Sequence, residues 1–342
     1  MLTTKDFRII KKDPVLIFTL PLALLFFFPI VILSPVILIR FGLLHSDRLG
    51  HFSANTELFL CEQLKKKREK DKKLTFDFFY FPTSPCNMQL AKMIKRKLCV
   101  LPRIICRPFC LISRKFKFLK FHVTGKATSG DYDVNNLYRK IPTQITFTKE
   151  EIKLGEKLIE NMGARNKKIV LIIVRDPKYF KVHYNLNSKS KSLHDHRNDR
   201  IQNFSSAILE LLNKNYFVVR MGNIAETKLN IKHRNFVDYP FSKIKSDFLD
   251  VFLAYKAFFC ISNLTGYDGL ITMFRKPLLS IGSMPIGCMY SSSENYLNTI
   301  YPHYSKKLNR NLKIKEIFDL DLAFEFNKEK FDQNNIIIKK HS

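Results

Sequence analysis

The 342-residue chain contains no Cys-x-x-Cys pair, no Gly-x-Gly-x-x-Gly and no Gly-x-x-x-x-Gly-Lys-Ser/Thr. Its seven cysteines, at 61, 86, 99, 106, 110, 260 and 288, therefore lack a zinc spacing and read as reduced thiols of a cytosolic chain. The two missing glycine patterns exclude the usual dinucleotide loop and the P-loop. Acids are scarce too: Asp+Glu 30 against Lys+Arg 58 gives a net charge of +28. Such a field attracts phosphates, anionic lipid headgroups or nucleic acid. Much of it is lysine in a chain also rich in Asn and Ile, as genome composition alone would produce, so charge by itself does not choose the partner.

Charge is absent altogether from Pro14 to Ile39, "PVLIFTLPLALLFFFPIVILSPVILI". About 20 apolar residues suffice to cross a bilayer. Prolines at 14, 21, 29 and 35 would each remove a helical hydrogen bond and kink the rod. The run exceeds a signal-peptide core and no small-residue cleavage site follows it, which argues against a secretory signal. Basic residues flank both ends (Lys5, Arg8, Lys11, Lys12; Arg40, Arg48), so orientation is not fixed by charge. A segment over roughly 14–34 is expected to anchor the chain, as one span or as a kinked monotopic insertion. A core helix followed by a core strand is the competing reading.

The length corresponds to roughly two domains. Beyond residue 35, apolar runs alternate with helical patterns, as in βαβ units. In the first half, strands are expected at 36–42 and 74–81, with helices starting near Asn55 and covering 87–98. Residues 99–140 are not assigned; basic runs such as "RKFKFLKFH" would line a membrane or form plain surface. The break falls near "IPTQITFTKEE", where Thr148 and Glu151 form a capping box for a helix that stops at Gly163. The second half gives strands at 168–174, 216–222, 236–239, 258–263 and, last, 277–283. Helices are expected near 199–213, from a cap at Ser246, and over 265–276. This is a doubly wound α/β pattern.

In open α/β sheets the ligand crevice lies beyond the carboxyl ends of the strands. Three strands of the second half end in groups suited to an anion: Arg175 with Asp176, Arg220 with Gly222, and Asn263 with Thr265 and Gly266. Arginine presents a planar fork to phosphate oxygens, and a helix start at Thr265 and Gly266 would add backbone N–H groups. Each has a structural alternative. Arg175 and Asp176 could pair at a turn, Arg220 could pair with a carboxylate, and Thr265 with Asp268 could be a stabilising cap.

The connection after Arg175 is long and carries His194, Asp195, His196 and Arg197, which fall short of a defined metal site. "DYD" (131–133) and "DLD" (319–321) resemble the acidic motif of some sugar transferases but follow no convincing strand, and read as surface acids. In the first half, "RFGLLHSDRLGHFSANTE" (40–57) places Asp47 and His51 in the loop after the first strand. Either could act as a base toward an acceptor hydroxyl, or serve as an ion-pair partner of Arg48 and a packing residue respectively.

The ordered set "RFGLLHSDRLGHFSANTE", "VRDPKY", "HDHRNDRIQNF", "YFVVRMG", "SDFLDVFL" and "TG" after "FFCIS" resembles a family of bacterial glycosyltransferases from surface-polysaccharide gene sets. The arginine-acid motif is also similar in placement to that of fucosyltransferase-type enzymes. The resemblance covers most of 36–300 and implies a GT-B-like architecture. That means two Rossmann-like doubly wound domains facing a cleft, here behind an N-terminal hydrophobic membrane segment. It implicates Arg175, Asp176, Tyr179, Arg197, Arg220, Gly222, Thr265 and Gly266, with Asp268 in the same cap, in holding a nucleotide-sugar donor. The serine expected beside the glycine is missing from "NLTGYDG", which bears on donor specificity. GT-B enzymes generally need no bound metal, and no cofactor is expected.

The domains expected are an anchor (1–34), an acceptor domain (35–147), a donor domain (148–330) and a basic tail (331–342). The activity expected is transfer of a sugar from a nucleotide-sugar to a lipid-linked or polysaccharide acceptor in cell-surface glycan synthesis. It would take place on the cytoplasmic side of the inner membrane, at the membrane surface and without nucleic acid. The alternative is a non-catalytic, membrane-tethered basic protein that binds anionic lipid or nucleic acid.

Overall fold

The structure, a computed structural model, describes residues 11, 13–68, 74–125, 133–183 and 195–340. The chain divides into two units between Thr146 and Phe147. In the first, helix α1 (Leu16–Leu33) runs through Pro21 and Pro29 as one element and leads into strand β1 (Ile37–Leu43). A π-helical turn (His51–Asn55) opens α2 (Thr56–Arg68); β2 (Leu74–Tyr80), α3 (Met88–Lys95) and β3 (Cys99–Val100) follow. Then come α4 (Arg103–Lys115), a 3-10 helix (Lys117–His122), β4 (Val123–Thr124) and α5 (Leu137–Lys140).

The four strands are parallel in the order β3-β2-β1-β4. Arg40 and Asp77 are register partners on β1 and β2 and form a two-pronged pair at 2.6 and 2.7 Å. The unit's core joins Ala23 and Phe27 of α1 to Phe41 of β1, Tyr80 of β2 and Cys106 and Cys110 of α4. Residues 16–33 therefore pack as part of this unit. The sequence did not show this because α1 is apolar all round, so no periodicity marks the face that is buried.

The second unit begins with α6 (Lys149–Asn161), whose Thr148–Glu151 capping box forms as expected. Its buried Gly155 lies under the Phe252 ring, where any Cβ would sit 2.1 Å from the ring. Strand β5 (Ile169–Ile173), α7 (Pro177–His183), α8 (Ser205–Asn213), β6 (Phe217–Arg220) and β7 (Phe236–Asp238) come next. They are followed by α9 (Asp247–Lys256), β8 (Ala257–Ser262), α10 (Asp268–Met273), β9 (Leu278–Ser280) and β10 (Tyr296–Asn298). These six strands form one parallel sheet in the order β10-β9-β8-β5-β6-β7. Counted from β5 this is 3-2-1-4-5-6, with the direction of winding reversing between β5 and β8.

Strand β9 is not the last, as expected from sequence: β10 extends the sheet at its edge. Beyond it β11 (His303–Ser305), β12 (Arg310–Asn311), α11 (Ile314–Asp319), α12 (Lys328–Gln333) and β13 (Ile336–Ile338) fold as well. Strands β12-β11-β13 make an antiparallel sheet, over which Phe331 and Ile336 join Met284, Ile286 and Ile317 in a core. The segment expected as a basic tail is thus structural up to Lys340.

Candidate functional site

The carboxyl ends of β5 and β8 meet at the reversal point of the second sheet. Ile173 and Ser262 are register partners there, and the chain then leaves β5 through Val174 and Arg175 and β8 through Asn263. Buried Asn263 ties the two exits together. Its Oδ1 accepts the Arg175 backbone N–H at 2.7 Å, and its Nδ2 donates to the Arg197 carbonyl at 3.3 Å. The Asp199 N–H in turn donates to the Arg175 carbonyl at 3.2 Å, and the Tyr301 hydroxyl donates to the Asp199 carboxylate. The long connection after β5 is therefore brought back onto the strand ends.

The arginines differ in how their charge is balanced. Arg220 is buried, donates to the Thr227 carbonyl at 2.6 Å, and pairs with Asp238 at 3.2 Å and Asp176 at 3.9 Å. Register explains the first pair, since Arg220 and Asp238 are opposite residues of β6 and β7. Arg197 has no carboxylate partner among the described residues. Its Nε donates to the Met284 carbonyl at 3.1 Å, its guanidinium lies 5.0 Å over the Phe326 ring, and burial pulls its pKa down. A half-buried cation of this kind, partly shielded from water, binds an anion more strongly than a fully solvated one. Half-buried Arg175 is fixed beside it through Asn263.

Asp176 acts locally. Its carboxylate accepts from the Lys178 N–H at 2.9 Å and the Glu226 N–H at 3.0 Å, which caps α7 and fixes the loop after β6. Tyr179 lies half-buried on α7. Asp176, Lys181, Asn198, Arg200 and Glu226 line a cleft of about 410 Å³ at these loops. Gly222 ends the β6 exit at φ +145°, and a Cβ there would lie 3.2 Å from the Pro240 ring.

At Thr265 the backbone N–H expected at a helix start is engaged within the chain. Its N–H and hydroxyl both donate to the Asp268 carboxylate, at 3.0 and 3.1 Å, and α10, at six residues, starts only at Asp268. Gly266 lies inside this cap, and its carbonyl accepts from the Gly269 N–H at 3.4 Å. The preceding Leu264 sits at φ +62°, a left-handed conformation costly for a γ-branched side chain.

Asp268 is fully buried, and burial pushes its carboxyl from 3.8 up to about 6, as it does that of Asp250 on α9. A raised pKa means that the folded state holds the proton more tightly than the unfolded chain. This contribution to stability is complete below about pH 4 and is lost as the pH rises toward about 6. Asp268→Asn should therefore flatten the slope of unfolding free energy across that window, by on the order of 2–3 kcal/mol in total. Urea titrations at several pH values measure the slope, and an unchanged slope would exclude Asp268 as its source.

In the first unit the loop after β1 emerges at the corresponding reversal, between β1 and β4. A Cβ on Gly42 would come within 2.5 Å of the Thr124 carbonyl oxygen, so only glycine lets the strands approach there. Ser46 roots the loop: its hydroxyl donates to the Thr83 carbonyl at 3.3 Å and its carbonyl accepts from the Cys86 N–H at 2.8 Å. Asp47 is exposed and 3.7 Å from Arg48; His51 opens the π-helical turn, its ring 6.0 Å from that of His45. π-turns recur at functional sites.

Glu57 was missed by the sequence reading. It is fully buried, and its carboxylate accepts the N–H groups of Gln144 and Ile145 at 2.8 and 3.0 Å, clamping the end of this unit. Of the acidic motifs, Asp131 and Tyr132 lie outside the described residues and Asp133 caps α5 through Leu137 and Tyr138, each at 2.7 Å. Asp319 pairs with Lys315 at 2.8 Å. His194 and the Asp195 side chain also lie outside the described residues, while His196 packs on Phe331 at 5.5 Å.

No family model and no curated protein matches the chain. Among solved structures it is similar to the ADP-heptose lps heptosyltransferase II of E. coli, with TM-score 0.45 and 9% identity over 86% of this chain and 97% of that one. It is also similar to a family 9 glycosyl transferase from Veillonella parvula, with TM-score 0.47 and 10% identity over 87% and 95%. Likeness at this level carries no weight for function, which rests on the chain's own residues.

Proposed function

We propose that the chain is a metal-independent glycosyltransferase of GT-B type. It would move a sugar from a nucleotide-sugar donor to a lipid-linked or polysaccharide acceptor in cell-surface glycan synthesis. The observation that carries this reading is half-buried Arg197, without a carboxylate partner among the described residues, tied through Asn263 to the reversal point of a 3-2-1-4-5-6 parallel sheet. The resemblance of the strand-end motifs to surface-polysaccharide transferases supports the same assignment. Arg197 and Arg175 neutralise the diphosphate as the sugar–oxygen bond breaks, which stabilises the charge that develops on the leaving group. Arg220 and Asp176 hold the loops that present them, and Asp268 with Thr265 fixes the β8 exit. In the first unit Asp47 or His51 takes the proton of the acceptor hydroxyl as it attacks the anomeric carbon.

Thermal unfolding with a panel of nucleoside diphosphates and their sugars tests the class and names the base together. One base should raise the melting temperature by several degrees, since a ligand specific for the folded state stabilises it by mass action. Stabilisation by RNA or heparin with no response to any nucleotide would instead favour a basic binding protein.

A further inference from the structure

We infer that the first unit docks on an anionic phospholipid bilayer with α1 lying in the plane of the interface and not crossing it. Both ends of α1 are held by its own unit. At the amino end the Asp13 carboxylate accepts from Arg103 at 2.7 Å and from Arg107, both in the first turns of α4. At the carboxyl end only Ser34–Val36 separate the helix from β1. Along its length Leu16, Ala23 and Phe27 are buried, and Leu20, Ile30 and Val31 pack beside them. To span, α1 would have to leave this core or draw α4 with Arg103, Arg107 and Arg114 into hydrocarbon, which is costly.

The opposite face of α1 is apolar and uncovered: Phe18 is 80% exposed, and Leu25 and Phe28 are each 70% exposed. The adjoining elements continue it. Ile104 and Ile105 on α4 are exposed, and in the 116–121 stretch Phe116, Phe118 and Phe121 alternate with Lys117 and Lys120. From Pro102 to His122 there are six Lys and Arg and no acid. Aromatic side chains interleaved with lysines beside an apolar helix match a negatively charged lipid surface, where rings enter the interface and ammonium groups stay among headgroups. Water, or a neutral protein face, would leave one half of that pattern without a counterpart.

The full-length protein should co-float with vesicles of phosphatidylcholine and phosphatidylglycerol, and bind phosphatidylcholine alone at least about tenfold more weakly. Leu25→Glu with Phe28→Glu should lower binding at least about tenfold with the melting temperature unchanged, because both side chains already face outward. Lys117→Glu with Lys120→Glu should remove the salt-sensitive part. Tags on the two termini should be cleaved by protease from the same side of sealed vesicles. Protection of the amino-terminal tag alone would mean that α1 spans. Undiminished binding by the glutamate variants, or a vesicle-indifferent dimer that those variants dissociate, would overturn the proposal. Binding is read without turnover, so this outcome is separate from that of the transferase reading.

Discussion

Arg197→Ala is expected to abolish nucleotide-induced thermal stabilisation and to lower kcat/KM by about 10²–10³-fold, the loss seen when one preorganised donor to a developing anion is removed. The apo protein should hardly change. Among the described residues the Arg197 side chain makes one hydrogen bond, to the Met284 carbonyl, and it stacks on Phe326, while partial burial disfavours its charge. Its loss should therefore shift unfolding free energy by no more than about 1 kcal/mol. Arg197→Lys should fall between, because an ammonium keeps the charge but loses both the planar fork and the stacking. Donor titration by thermal shift, followed by steady-state kinetics, separates the two effects. Full donor response in Arg197→Ala would remove this residue from the site.

Arg220→Ala should behave in the opposite way and cost about 3–5 kcal/mol of stability, because it leaves the Asp238 carboxylate uncompensated in a buried position. The Asp176 carboxylate, 3.9 Å away, loses a second source of positive charge, and the Thr227 carbonyl loses its donor at 2.6 Å. Pairing Arg220→Ala with Asp238→Asn should recover part of the loss, since the amide oxygen can still accept the Leu229 N–H that now bonds Asp238 at 2.8 Å. Urea unfolding of the single and double variants measures this. A single variant as stable as the parent would show that the guanidinium does not hold the β6–β7 edge together.

The contrast between these two arginines marks how far the sequence could be read. That a buried strand ends at Arg175, and another at Arg220, follows from short β-branched runs bounded by charge, and β5 and β6 lie where those runs predict. The partner of Arg220 was not legible. Asp238 is eighteen residues away and becomes its neighbour only through the β6–β7 register, which no local pattern encodes. The Thr265–Asp268 spacing fits either a cap or a phosphate-binding helix start, and spacing alone does not show that Asp268 engages both donors of Thr265.

The carboxyl-terminal region was hidden for a different reason. Strands β10 to β13 are two or three residues long, too short for a period of two to register. What holds them is tertiary, as in the packing of Phe331 against Ile336 and Met284. Glu57 reads as one more acid on a basic helix until residues 144 and 145 return to bond it. The uniform apolarity of 14–39 suggests a membrane segment, as one span or a kinked insertion, and only the shape of α4 and β1 gives the helix an inner and an outer side.

Where the donor diphosphate sits can be seen in a crystal structure with the nucleoside diphosphate selected by the thermal panel. Pyrophosphate oxygens are expected within hydrogen-bond reach of the Arg197 and Arg175 guanidinium groups, at the carboxyl ends of β5 and β8. A diphosphate seated at the amino ends of the strands, or away from both arginines, would contradict this.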